Sequence, residues 1–310
     1  MERSIDYKTW MSYSESEQDA MVSWLQAQLG VDYVHCMTRS YASMSSLRIP
    51  TFLHRPSGME FNLLFGGSFQ MGLSEEEEKA VLENQDEIQP DELFVETHRP
   101  VHTVHVNPFL ITRFPCTVSQ AENAIALDPD ILRYPDIRKL VSDSNLQEST
   151  KHQALDLTRS EAETLAAKYD FSLPSEAQWE YACRGLTTTP FYFDTKSLNK
   201  EKLEKEILIR DFDDPELCLK AANPFGLVGL SVGEWCQDSY RRDYTDASDN
   251  DLPVLGPAPF VVRGGALSLW PWQGCGEWKH CLSAYRMSSN VFVEASPTWG
   301  ARFVTRFEAA

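Results

Sequence analysis

The chain has 310 residues, 42% of them hydrophobic, and a formal charge of −18 at pH 7. That length and apolar content can fill a sizeable core in one elaborated domain or in two, and the acidity excludes a general nucleic-acid binder, because phosphate contact needs clustered Lys and Arg. No apolar run approaches the roughly 18 residues of a membrane span, and the opening MERSIDYKTWMSYSESEQ has no signal-peptide core, so the sequence predicts a cytoplasmic protein with neither nucleic acid nor membrane as partner.

In chain order, Ser14 with Glu17 forms a capping box, and Met21, Trp24, Leu25 and Leu29 make one apolar stripe before Gly30. Residues 1–55 therefore read as a helical lead-in and 56–310 as the main domain. From Met59 onward the texture changes to FNLLFGGSFQMG and VHTVHVNPFLITRF, which are strand signals. The acidic segment from Glu75 to Glu96 between them reads as a solvated loop or surface helix, since four adjacent carboxylates cannot all face one ion. Thr158 with Glu161, followed by Ala162, Leu165, Ala166 and Tyr169, predicts a helix. The stretch LPSEAQWEYACRG predicts another: Ser175 caps it, Gln178 reaches back, Arg184 suits its negative end and Gly185 stops it. Residues 196–221 are charge-rich and read as an excursion over the surface. The seven cysteines are scattered without a CxxC pair, which signals neither a secreted disulfide framework nor a structural zinc site.

Six motifs in order carry a resemblance. GGSFQMG, the HRPVHTVHVNPFLITRFPCTVSQAE segment, LPSEAQWEYACRG, NPFGLVGLSVGEWCQDSY, RGG at 263–265 with SAYR at 283–286, and GARF at 300–303 together resemble the sulfatase-modifying-factor family, the formylglycine-generating-enzyme-like domain. The resemblance covers about Met59 to Phe307 and implies an α+β fold, a variant of the C-type lectin fold with little regular secondary structure, here behind a short N-terminal helical segment. It also implies that Glu176, Trp179, Glu180, Tyr181 and Arg184 brace the scaffold. That agrees with elementary chemistry, since irregular backbone leaves donors and acceptors that buried side chains must satisfy.

The chemistry implied by the family is oxidation of a peptidyl cysteine by oxygen with copper(I) held between two thiolates, which suit a soft ion. The corresponding region, RGGALSLWPWQGCGEWKHCLSAYR, contains Cys275 and Cys281 as a candidate catalytic and copper-ligating pair, with His280 as a further candidate ligand. Five residues separate the two cysteines, where the family has four, and neither falls at the family position. The family's calcium motif is reduced to GLSVGEW at 229–235, leaving Glu234 as a remodelled calcium ligand or as the partner of an Arg or of backbone N–H groups. The three-histidine iron site of the sulfoxide-synthase branch has no counterpart in His35 and His54, which lack helical spacing.

These departures favour a diverged member that binds a protein or peptide, with Trp270, Trp272 and Trp278 as aromatic anchors. The alternative is a copper-dependent oxidase that converts a peptidyl cysteine to formylglycine or performs a related thiol oxidation.

Overall fold

The computed structural model describes residues 5–41, 44–84, 93–128, 130–132, 148–193, 203–265, 278–289 and 299–306. The chain opens with α1 (Tyr7–Ser12) and α2 (Glu15–Leu29). Ser14 and Glu17 close the predicted capping box on α2, and Met21, Val22 and Leu25 bury its inner stripe. Strands β1 (Tyr33–Arg39), β2 (Ile49–His54), β3 (Met59–Leu64), β6 (Phe109–Thr112) and β10 (Val304–Thr305) form one antiparallel sheet in the order β1-β2-β3-β6-β10. Because β2 pairs with β3 along Thr51–His54, the sheet crosses the boundary placed at residue 55. The lead-in thus contributes two strands as well as two helices. β2 and β3 are buried almost throughout, which is why both read as apolar runs without clean alternation.

Among the described residues, a two-stranded ribbon, β4 (Gly67–Met71) with β5 (His102–Val106), and a three-stranded sheet, β7 (Glu234–Ser239), β8 (Phe260–Arg263) and β9 (Arg286–Ser288), complete the strands. The remaining helices among the described residues are α3 (Glu75–Asn84), α4 (Val118–Leu127), α5 (Glu148–Lys151), α6 (Arg159–Lys168), α7 (Glu176–Arg184) and α8 (Pro215–Ala221), with a short π-helix at Leu203–Ile207 and 3₁₀ turns at Val95–His98 and Trp278–Cys281.

Of two surface expectations, the acidic run does form a helix with Glu75 and Glu76 exposed, but not all of it is solvated, and the second is corrected. In the acidic run, helical geometry turns successive side chains by about 100°, so the four carboxylates part company. Glu77 is buried and pairs with Arg184 at 2.6 Å, and Glu78 pairs with Arg99 at 2.6 Å. In the 196–221 stretch, Ile207, Leu208, Ile209, Cys218 and Ala221 join the core, and Arg210 meets Asp156 at 2.9 Å. Averaging over a charge-rich window hides three consecutive aliphatic residues.

α7 organises the interior. Ser175 and Gln178 form its capping box, Gly185 ends it in the left-handed region at φ 55°, and all nine of its residues are buried. A helix buried all round with two Glu and an Arg must satisfy those charges within the fold. Glu180 receives Arg184 Nε at 2.9 Å, Arg263 Nη2 at 2.8 Å and the backbone N–H of Gly72 at 2.9 Å. Glu176 receives Arg286 through two nitrogens, at 2.7 and 2.9 Å. Burial opposes ionisation of both carboxyls, but Arg286 and Arg263 at Glu176, and Arg263 and Arg184 at Glu180, outweigh it and hold both below the ordinary carboxylate value. Trp179, Tyr181 and Arg184 are buried with them, as the family resemblance implies.

His98 packs at the edge of this cluster. Its Nε2 accepts the N–H of Arg286 at 3.2 Å, so its proton sits on Nδ1, which faces the Phe94 carbonyl at 2.9 Å. Burial pushes its pKa down to about 4, with the Phe94 hydrogen bond opposing. The unfolded imidazole protonates near 6.5 and the folded one near 4, so the stability tied to neutral His98 is complete above 6.5 and lost as pH falls toward 4. Asp156 and Asp238, each pushed up to about 6 by burial, act in the opposite sense between about 4 and 6. The effect of His98 therefore shows as a difference. The stability gap between the wild type and His98→Gln, measured by urea unfolding, is expected to shrink by about 2–3 kcal/mol from pH 7 to pH 4.5. A gap independent of pH contradicts the assignment.

Candidate functional site

Glu234 opens β7 and is fully buried. Arg302 grips it through Nε on Oε2 and Nη2 on Oε1, both at 2.8 Å, and Trp179 Nε1 donates to Oε2 at 2.7 Å. The rest of the guanidinium donates to the carbonyls of Thr112, Arg113 and Val228. A full positive charge stands against both carboxylate oxygens, so in this arrangement the guanidinium takes the place that a cation would need. Glu234 thus pairs with an Arg, as one of its two sequence readings expects.

Cys281 ends the 3₁₀ turn Trp278–Cys281 and is 4% exposed. Burial, and secondarily Cys183, raise its thiol well above the ordinary value. Cys183 in turn donates to Ser283 Oγ at 3.7 Å. His280, in the same turn, lies with its ring centroid 5.0 Å from that of Tyr285. Trp278 opens the turn, and Cys275, Trp270 and Trp272 lie outside the described residues. Copper(I) is held by thiolates; of the candidate pair, Cys281 is a buried thiol and Cys275 lies outside the described residues, so the spacing of the two sulfurs is not part of the described structure. Among the described residues, no three His, Cys, Asp or Glu side chains gather where they could hold a metal ion.

A groove that the sequence did not mark lies where the β4–β5 ribbon meets the end of α7 and the start of α3. Its walls include Phe69, Gln70, Val101, Leu186, Thr188 and Glu77 around a cavity of about 390 Å³, a size within the range of natural ligand sites. Local structure explains the walls. β4 alternates, with Ser68 and Gln70 exposed and Phe69 turned toward α7, where its ring lies 5.4 Å from that of Tyr181. Beyond Gly185 the chain passes Leu186, at φ 67°, and presents Thr187 and Thr188. Ser74 and Glu77 form a capping box on α3, Ser74 N to Oε2 at 2.9 Å and Glu77 N to Oγ at 3.1 Å, so the second Glu77 oxygen is left to Arg184.

Each ionisable group in the wall is engaged. Glu77 and Glu180 hold Arg184, whose Nη2 also donates to the Gly72 carbonyl at 2.7 Å, and Tyr181 donates to the Phe65 carbonyl at 2.8 Å. The groove therefore offers hydroxyl, amide and apolar contacts on a rigid floor. Two signals in the sequence pointed here without being joined: a strand motif ending at Gly72, and a helix motif ending Arg184-Gly185.

Comparison with known proteins places these features in a family. The family described as "Sulfatase-modifying factor enzyme 1-like domain" matches residues 50–306. The chain is 25% identical over 260 residues to "Serine/threonine-protein kinase pkn1" of Chlamydia caviae, covering 72% of this chain and 40% of that one. It is 28% identical over 162 residues to "Serine/threonine-protein kinase Pkn1" of Chlamydia trachomatis serovar L2, covering 49% and 24%. The chain thus spans less than half the length of these curated relatives. Among solved structures, PvdO from Pseudomonas aeruginosa superposes with a TM-score of 0.58 at 18% identity, covering 80% of this chain and 94% of that one. Treponema denticola variable protein 1 superposes with a TM-score of 0.50 at 14% identity, covering 87% and 99%. Both likenesses concern the fold. With a family match across more than four fifths of its length, an α+β fold shared with these structures and the six motifs in order, the chain belongs to the sulfatase-modifying factor enzyme 1-like, formylglycine-generating-enzyme-like domain family.

Proposed function

We propose that this chain is a diverged family member that binds a protein or peptide, with the groove beside β4 as its recognition site. The observation that carries this reading is the groove itself: an open cavity whose one carboxylate, Glu77, and one guanidinium, Arg184, are paired with each other, so its walls offer shape and hydrogen bonds rather than a poised acid or base. The aromatic anchors Trp270, Trp272 and Trp278 remain part of the proposal on sequence grounds, as a second contact surface. A cytoplasmic setting belongs to the same proposal and is supported by the scattered free cysteines.

The competing reading is a copper-dependent thiol oxidase using Cys275 and Cys281. The five-residue spacing of the two cysteines, neither at the family position, favours the binding reading over this one.

One experiment separates the two. Random dodecapeptides displayed on phage are selected on the immobilised full chain, and the enriched sequences are measured by fluorescence anisotropy. Selected peptides are expected to lose at least about tenfold in affinity with Thr188→Arg, which fills the groove mouth, at unchanged melting temperature. In parallel, the chain is loaded with copper(I) and desalted. Retention of about one copper per chain, lost on Cys275→Ser, supports the oxidase. No enrichment of peptides, or binding indifferent to both Thr188→Arg and Trp272→Ala, overturns the binding reading.

A further inference from the structure

The outer edge of β4 carries a gap. Antiparallel strands alternate between residues whose N–H and C=O face the partner strand and residues whose groups face away. His105 N donates to Asp249 O at 2.7 Å, away from β4, so its opposite number Ser68 also faces away, and the continuous register puts Gly66, Ser68, Gln70 and Gly72 on the outer edge. The ends of this edge are satisfied. Gly66 N donates to Ile5 O at 3.1 Å, and Gly66 O accepts Tyr7 N at 2.9 Å before α1 turns the chain away. Gly72 N donates to Glu180, and Gly72 O accepts Arg184. Gly72 sits at φ 106°, where a Cβ would meet the His98 carbonyl at 2.5 Å, so the strand ends at this point. Between these ends, the backbone groups of Ser68 and Gln70 meet no partner among the described residues. The gap opens on the groove, because Ser68, Phe69 and Gln70 all line it.

From this we infer that β4 accepts an extended peptide by strand addition, with basic side chains alternating with apolar ones. This rests on the reading of the groove as a peptide site and specifies its ligand and mode. An added strand supplies acceptors and donors to Ser68 and Gln70, while alternate side chains fall to opposite faces. Apolar side chains on one face meet Phe69, Val101 and Leu186 in the cavity. The preference for Lys or Arg on the other comes from charge. Glu75 and Glu76 are exposed at the start of α3, next to Ser74 in the groove wall, and the whole chain carries −18, a field that draws a cationic segment toward this mouth. The fixed ends limit the docked segment to about three residues in register, at roughly 3.3 Å per residue.

The test uses the full chain and fluorescein-labelled Lys-Val-Lys-Leu-Lys-Val, its Glu-for-Lys counterpart, and two isomers N-methylated on alternate residues, one for each edge of the peptide. The parent peptide is expected to bind, to weaken at least tenfold on exchange of Lys for Glu, and to weaken at least tenfold with one methylated isomer but not with the other. Gln70→Pro removes an outward N–H at an edge position that tolerates Pro; it is expected to keep the melting temperature and lose the same tenfold. The inference is overturned if the parent peptide does not bind, if both methylated isomers or neither lose affinity, or if the Glu peptide binds equally. Should display-selected peptides respond to Thr188→Arg yet ignore N-methylation on either edge, strand addition falls while the binding reading stands.

Discussion

Glu234→Ala is expected to destabilise the protein by about 3–5 kcal/mol, the cost of leaving a buried guanidinium without its counter-charge. Arg302 and Glu234 are both fully buried, and Glu234 is the carboxylate that meets Arg302. Arg302 otherwise donates to the carbonyls of Thr112, at the end of β6, of Arg113 and of Val228, which accept hydrogen bonds but do not neutralise a charge. Trp179 would also lose its indole acceptor. Urea unfolding should show the loss as a lower midpoint with unchanged slope. Replacing the pair together, Glu234→Leu with Arg302→Met, should recover much of it, because removing both charges removes the desolvation cost as well. A loss under about 1 kcal/mol for Glu234→Ala would mean that water reaches Arg302. Calcium adds a second readout: a resident ion at Glu234 would raise stability with its concentration, whereas an Arg302-bound carboxylate predicts the same midpoint with calcium or with a chelator.

Glu180→Ala is the second large effect, again about 3–5 kcal/mol, and it reaches the groove. Glu180 lies between Arg184 and Arg263 and also holds the Gly72 N–H. Arg184 retains Glu77, and Arg263 retains Glu176 at 3.0 Å, so the core is left with more positive charge than it can pair. Gly72, the fixed end of the β4 edge, loses its acceptor at the same time. Peptide affinity should therefore fall along with stability, which Glu234→Ala, farther from the ribbon, should not cause at temperatures where both variants are folded. The carboxyls of Glu176 and Glu180 are held below their ordinary value, so their stabilisation is present above about 4.5 and lost as pH falls below it. The acid-unfolding midpoint of Glu180→Ala should accordingly lie at higher pH than that of the wild type. Loss of stability with unchanged peptide binding would separate the frame from the groove.

Much of the architecture was legible because its determinants are local. The boxes at Ser14/Glu17, Thr158/Glu161 and Ser175/Gln178 each lie within four residues, and all three form. The bracing role of Glu176, Glu180 and Arg184 was implied by the family resemblance that the six motifs carry. What remained hidden depends on distant partners. Nothing near Glu77 announces that Arg184, 107 residues later, will bury it, nor does the aliphatic run at 207–209 reveal itself within a charged window. The groove was illegible for the same reason: it exists because Ile5 and Tyr7 cover one end of the β4 edge and α7 side chains close the other. The residues singled out as anchors or copper ligands cluster at 270–281, of which 278–281 lie in the described structure.

Amide hydrogen exchange at single-residue resolution, with and without saturating Lys-Val-Lys-Leu-Lys-Val peptide, tests the account most directly. The outward N–H groups of Ser68 and Gln70 should exchange quickly in the free protein and slow at least tenfold with peptide, while Phe69, already paired to β5, changes little. Bound peptide with Ser68 and Gln70 exchanging at their free rates would contradict it.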